Sequence, residues 1–102
     1  NERVVAIFDT EIGPMALVLV GAIFVASIET VWHGEVTPPT AQAIRTWQYQ
    51  DDAPHLKRGQ EMGRFNMGST IIALYGKDVM NWQDDFIVGK KVKLGEKIGS
   101  IN

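Results

Sequence analysis

Two stretches, GQEMGRF at residues 59–65 and GEKIGSI at residues 95–101, repeat one phrase at an offset of 36 residues. Each reads glycine, polar, charged, aliphatic, glycine, polar, apolar. Each also has a lysine two positions before its first glycine, Lys57 and Lys93. Glycine supplies positive φ at a tight turn, and the apolar residues behind it can point inward. The phrase is therefore a glycine turn that delivers a short strand. Two copies predict a pseudo-symmetric β structure, two hairpin-like halves packed as a small barrel or sandwich. Glycine-turn-strand is also a common phrase in β proteins, so coincidence is the competing reading, and a solenoid needs more copies.

Working outward, RVVAIF at 3–8 is short, β-branched and apolar and predicts a strand, with DTEIGP at 9–14 as its turn. MALVLVGAIFVASI at 15–28 is fourteen residues without a charge. That is short of the roughly 20 that a spanning helix needs. Its Val and Ile content and Gly21 predict two buried strands, 15–20 and 22–28, with Gly21 as bulge or turn. A membrane-contacting face is the alternative for this run. TVWHGEV at 30–36 reads as one further strand, ended by Thr37-Pro38-Pro39-Thr40 because proline removes a ladder donor. Residues 43–49 alternate in type and predict a half-buried strand. Residues 50–54, QDDAP, form a polar loop, 71–75 an apolar strand, and 79–86 a helical turn or loop. The chain closes strand-like at 97–102. No segment keeps a 3.6-residue apolar period, so the expected class is all-β with little helix.

A chain of 102 residues with 45% hydrophobic content is one small β domain with a thin margin for its core. Its net charge of -2 gives no electrostatic footprint for nucleic acid. Having no cysteine excludes disulfides, thiolate catalysis and cysteine zinc sites. His33 and His55 are the only histidines and lie 22 residues apart, outside any ligand-spaced pair, so no metal is expected. His33, beside Trp32, reads as a packed or edge histidine, and His55 as solvated. Asp51-Asp52 and Asp84-Asp85 read as acidic turns, since acid–base work needs two carboxyls converging in space. No phosphate-cradling glycine loop opens a helix.

The remaining feature is Gly68-Ser69-Thr70, inside RFNMGSTIIALYG at 64–76. On the triplet alone, a turn whose hydroxyls bind local backbone is the plain reading. A nucleophile elbow would place the serine in Gly-x-Ser-x-Gly between strand and helix, and here strand residues follow. Gly-Ser suits a different chemistry. A serine hydroxyl can attack the carbonyl carbon of its own preceding residue, and glycine there offers no Cβ to obstruct it. Elimination from the resulting ester and hydrolysis leave a pyruvoyl group on a new N-terminus, an electron sink made without metal or bound coenzyme.

The phrases FDTEIGPM (8–15), ETVWHGEVTPP (29–39) and KRGQEMGRFNMGST (57–70), with the apolar run behind the last, resemble bacterial phosphatidylserine decarboxylase proenzymes. The resemblance runs from about residue 2 to 75 and thins after Gly76. The family's commonest cleavage motif is Leu-Gly-Ser-Thr, and Met67 stands in the leucine position, an apolar replacement of similar volume. The resemblance implies self-cleavage between Gly68 and Ser69. The part ending at Gly68 (1–68) would become the β chain and the part from Ser69 (69–102) the α chain. Ser69 would become the pyruvoyl group, capture phosphatidylserine as a Schiff base, and release carbon dioxide to give phosphatidylethanolamine.

The resemblance further implies a fold like a barrel-sandwich hybrid, a peripheral position on the cytoplasmic face of the inner membrane, and a homodimer. The family's assisting Asp and His lie in a longer N-terminal part of the proenzyme. Asp9 and His33 do not match their positions, so the chain reads as a C-terminal core that by itself is expected to be inactive. Two other readings compete. One is a carrier-like module displaying a modified lysine at a hairpin tip, with Lys77-Asp78 as candidate. The other is a membrane-surface module resting on residues 15–28 and on the lysines at 90, 91 and 93.

Overall fold

A computed structural model describes residues 2–22, 27–37, 44–67 and 70–101. Among them the chain is all-β, with eight strands and no helix. The strands are β1 (Arg3–Thr10), β2 (Gly13–Val20), β3 (Ser27–Thr30), β4 (Gly34–Thr37), β5 (Gly63–Met67), β6 (Thr70–Tyr75), β7 (Met80–Trp82) and β8 (Gly99–Ile101). They form sheets of order β1-β2-β6, β4-β3-β5 and β7-β8.

The first hairpin is tighter than its sequence suggests. The expected six-residue turn shrinks to Glu11 and Ile12, and β1 and β2 take up the rest. Thr10 explains this. Its hydroxyl donates to the Gly13 carbonyl at 2.6 Å and accepts from the Ile12 amide at 3.2 Å, while Gly13 takes φ +99°. A threonine side chain thus supplies the local hydrogen bonds that close a two-residue loop.

The chain divides into two compact units, one of residues 1–5 and 18–72, the other of 6–17 and 73–102. In the first, β3 is central and pairs antiparallel with β4 and β5. Ile28 and Thr30 point into the interior, fully and nearly fully buried, with Leu19 also buried in this unit. The ladder shifts register beside Ile28 on both sides. Ser27 faces Met67 while Ile28 faces Phe65, and Ile28 faces Thr37 while Glu29 faces Glu35. Asn66 and Val36 are therefore the extra residues of two β-bulges flanking one buried isoleucine.

Two strand expectations fail in this unit. Residues 30–36 are not one strand: β3 stops at Thr30, 31–33 turn, and β4 starts at Gly34. Gly34 takes φ +87°, which reverses the chain and brings it opposite Thr30. Of the stretch 43–49, residues 44–49 lie outside any strand and are exposed, Ile44 almost completely. Their alternation has no ladder to join. Trp47 instead rests against the His33 ring, centroids 4.6 Å apart, with the Arg45 guanidinium 5.2 Å over its face. The polar loop at 50–54 is as expected, closed by the Ala53 amide donating to the Gln50 carbonyl at 3.0 Å. The expected strand at 22–28 and the proline break at 37–40 fall largely outside the described residues.

In the second unit, residues 79–86 carry a strand rather than only a turn, since Met80–Trp82 pairs with β8. Tyr75 meets Trp82 edge-on and Trp82 stacks on Phe86, with centroids 5.7 and 5.8 Å apart.

The repeated phrase adopts one geometry twice. At the first copy the Gln60 amide donates to the Lys57 carbonyl, and the Lys57 amide donates back to the Gln60 side-chain oxygen, both at 2.9 Å. At the second copy the Glu96 amide donates to the Lys93 carbonyl at 3.0 Å, and the Lys93 amide to the Glu96 carboxylate at 2.8 Å. Gly59 and Gly95 take φ +81° and +85°. Three residues on, the Met62 carbonyl accepts from the Val31 amide at 2.9 Å, and the Ile98 carbonyl from the Gln83 amide at 2.8 Å. The second glycines, Gly63 and Gly99, then open β5 and β8 opposite Thr30 and Trp82. The likeness is in turn, hydrogen bonds and pairing alike, so coincidence of composition does not account for it.

Candidate functional site

Gly68 and Ser69 lie outside the described residues, between two strands. β5 leaves the β4-β3-β5 sheet at Met67, and β6 joins the β1-β2-β6 sheet at Thr70. The Gly-Ser step thus links strands of two different sheets, and a strand does follow the serine, as expected from the apolar run.

The approach to that step is fixed by β5. Asn66, the bulged residue, donates from its side-chain amide to the Ser27 hydroxyl at 3.2 Å. Bulges re-aim the chain at the point where they occur, and this one sits two residues before Gly68. Arg64 forms an ion pair with Glu29 across the same strand pair. The hydrogen bond to Glu29, and then its charge, hold the Arg64 guanidinium above its ordinary pKa, with Glu61 adding to it. Glu29, Glu61 and Arg64 line an open groove of about 340 Å³ together with Thr30, Gly34 and Gly63. Thr30 carries a buried hydroxyl without a hydrogen-bond partner.

The other sequence candidates are not drawn together. His33 lies in a turn rather than a strand, exposed on one side and resting on Trp47 on the other, and His55 is exposed. No group of three or more potential metal ligands occurs among the described residues. Asp52 accepts from the Gln50 amide at 3.3 Å, an ordinary acidic turn. Lys77 is exposed in a turn, but β6 and β7 belong to different sheets, so it is not at the hairpin tip that a carrier module requires. Ser27 and the Arg64–Glu29 pair escaped the sequence reading. Arg64 and Asn66 stand inside the cleavage phrase, whereas Ser27 carries no local signal, because its role comes from a partner 39 residues away.

Within the acidic turn Asp84-Asp85, Asp85 proves to be an anchor. Lys90 bonds the Asp85 carboxylate at 2.6 Å and Glu96 at 3.3 Å. The Lys90 hydrogen bond lowers Asp85; the Lys93 amide, then Lys90, lower Glu96; and Asp85 raises Lys90. A lowered carboxyl contributes fully above its unfolded value and loses that contribution as pH falls through its folded one. A raised lysine contributes fully below its unfolded value and loses it as pH rises through its folded one. The clamp is therefore expected to be steady between about pH 5 and about pH 10 and to loosen on either side. Amide exchange at Lys90 and Glu96 should show a few-fold loss of protection outside that window. Lys90→Ala should show the same loss within it, and unchanged protection in that variant would refute the clamp. Asp85 is exposed and Lys90 and Glu96 are only partly covered, so salt should weaken the effect.

Comparisons with known proteins bear on the whole chain. A model of the family described as phosphatidylserine decarboxylase matches residues 1–100, well past the point where the phrase-level resemblance thins. The phosphatidylserine decarboxylase proenzyme of Methylococcus capsulatus is 55% identical over 100 residues, which are 98% of this chain and 35% of that protein. The proenzyme of Shewanella loihica is 53% identical over 106 aligned residues, covering 100% of this chain and 37% of its own. That of Pseudomonas fluorescens strain Pf-5 is 55% identical over 102, covering 97% and 35%. The chain thus spans about a third of the length of the curated relatives it matches. No solved structure matches it.

Proposed function

The chain belongs to the phosphatidylserine decarboxylase family, and from that premise we propose that it is the part of such a proenzyme that holds the self-cleavage bond, Gly68-Ser69. The observation that carries this reading is the placement of that step. It stands directly behind the bulged strand of the EMGRF phrase and directly ahead of β6, at a change of sheet.

In this reading the Ser69 Oγ attacks the Gly68 carbonyl carbon and displaces its own amide nitrogen, turning the peptide into an ester. Loss of the Ser69 α-proton breaks the Cβ–O bond and frees residues 1–68 with a Gly68 carboxylate. Water then replaces the nitrogen of the dehydroalanine, ammonia leaves, and residue 69 is a pyruvoyl group. Glycine suits the attacked position because it carries no Cβ. The flanks fit a group held at this point. Asn66 and Ser27 fix the approach, and β6 anchors the exit, so the new terminus stays on a rigid element. When formed, the group supplies the electron sink for loss of carbon dioxide from phosphatidylserine.

The same reading takes the remainder of the proenzyme as the source of the assisting Asp and His. It places the mature enzyme as a homodimer on the cytoplasmic face of the inner membrane. It also takes the two turn-and-strand copies as halves of a barrel-sandwich hybrid. Intact-mass analysis of the full-length protein under denaturing conditions tests the reading. Scission between residues 68 and 69 is expected, with the downstream piece blocked at its N-terminus and reactive toward carbonyl reagents. A single uncut species would overturn it.

A further inference from the structure

The second copy of the repeated turn differs from the first where it meets solvent. In the first copy the corner between Lys57 and Gly59 is Arg58; in the second, between Lys93 and Gly95, it is Leu94. Leu94 is completely exposed. An adjacent turn repeats the pattern: the Lys90 amide donates to the Ile87 carbonyl at 3.0 Å, Gly89 takes φ +87°, and the corner residue, Val88, is also completely exposed. Ile87 and Val92 are largely exposed between them. A turn facing water has no use for four such side chains, and contiguous exposed apolar groups mark an interaction surface. Lys90 ties the region together by holding Asp85 and Glu96.

Charge identifies the partner. Residues 87–97 carry four lysines against one glutamate, while the rest of the chain carries six cations against eleven carboxylates. Among the described residues Lys91, Lys93 and Lys97 make no ion pair. Apolar corners ringed by free lysines match an anionic bilayer, whose interior takes the apolar tips and whose phosphates meet the ammonium groups. A covering protein domain would not need this concentration of one charge.

We propose that the turns at 87–90 and 93–96 are a lipid-entry surface. Val88 and Leu94 insert below the headgroups, and Lys91, Lys93 and Lys97 engage the lipid phosphates. The proposal rests on the reading that the substrate is a membrane phospholipid, and it adds the surface by which the α-chain part meets that membrane.

Co-sedimentation of the 102-residue chain with vesicles containing phosphatidylglycerol, set against vesicles of phosphatidylcholine alone, tests it. Binding to the anionic vesicles is expected, weakened by high salt. It should fall about tenfold or more in V88D/L94D, and similarly in K91E/K93E. These sites are at the surface, so the variants should keep the wild-type circular dichroism. Val88→Trp should gain fluorescence quenching by brominated lipid beyond that of the wild-type tryptophans. Lack of wild-type binding would overturn the proposal, as would binding unchanged in V88D/L94D. It would also fail if the chain ignored vesicles while V88D/L94D made the full-length protein insoluble, since the patch would then be an internal interface. Phosphatidylglycerol is not the proposed substrate, so vesicle binding by the chain with no self-cleavage of the full-length protein would sink the enzymatic reading alone. Self-cleavage without binding would sink this proposal alone.

Discussion

Ser69→Ala in the full-length proenzyme leaves one uncut polypeptide with no reactive carbonyl and no decarboxylation. The effect is expected to be total rather than graded, because in the proposed chemistry the side-chain oxygen serves twice. It would attack the Gly68 carbonyl, and its bond to Cβ would then break in the elimination. Alanine has neither function, and water attacking the same carbonyl would give a free alanine amine at the new N-terminus instead of a ketone. Intact mass and a carbonyl-specific label separate these outcomes, and circular dichroism reports whether the variant is folded. Scission between residues 68 and 69 in the alanine variant would remove Ser69 from the chemistry.

Gly63→Ala should be the most damaging single methyl group in the described chain. A Cβ at this position would fall inside contact distance of the Glu29 carbonyl oxygen and 3.2 Å from the Thr30 Cα. Both obstacles are main-chain atoms of β3, which is held by ladders on both edges and cannot step aside. Overpacking of this kind costs about 1–3 kcal/mol, and a domain of this size loses about 4–8 °C in Tm for each kcal/mol. Denaturant melts should therefore show a clear fall in midpoint. Self-cleavage should slow as well, because β5 aims the chain toward Gly68. Gly76→Ala is the matched control: its nearest neighbour would be a flexible Val79 methyl at 3.9 Å, so its effect should stay within about 0.5 kcal/mol. Equal melts for the two variants would show that the close approach at Gly63 is not needed.

The strands were most legible where glycine punctuated an apolar run. β5 and β8 fall where the two phrases put them, because positive φ at Gly59 and Gly95 is a demand that few other residues meet, and β6 falls where the apolar run at 71–75 put it. Reading failed where a tertiary partner decides. The polar residues around Gly34 looked like continued strand, yet a single positive φ turned them into a hairpin. Residues 44–49 alternated like a strand, but alternation states only that two faces differ, and no ladder was there to accept them. Glu11-Ile12 shows the opposite error, since a polar stretch looked like a long turn while one threonine closed it in two residues. At the candidate site, the Gly-Ser step can be proposed from sequence because the chemistry it suits is local. The Ser27–Asn66 contact cannot, because it joins strands far apart in sequence.

The change of sheet between β5 and β6 has a consequence for the proposed scission. β6 hydrogen-bonds to β2, and β5 to β3. Once the bond is cut, β2 and β6 belong to different polypeptides, and the ladder between them becomes a quaternary contact without moving an atom. The short product is then a guest strand seated in its partner's sheet. The two pieces should therefore co-elute under native conditions and separate only when the sheet is melted. A separately made 69–102 segment has a ready-made slot beside β2, which opens the family's core to reconstitution from two parts.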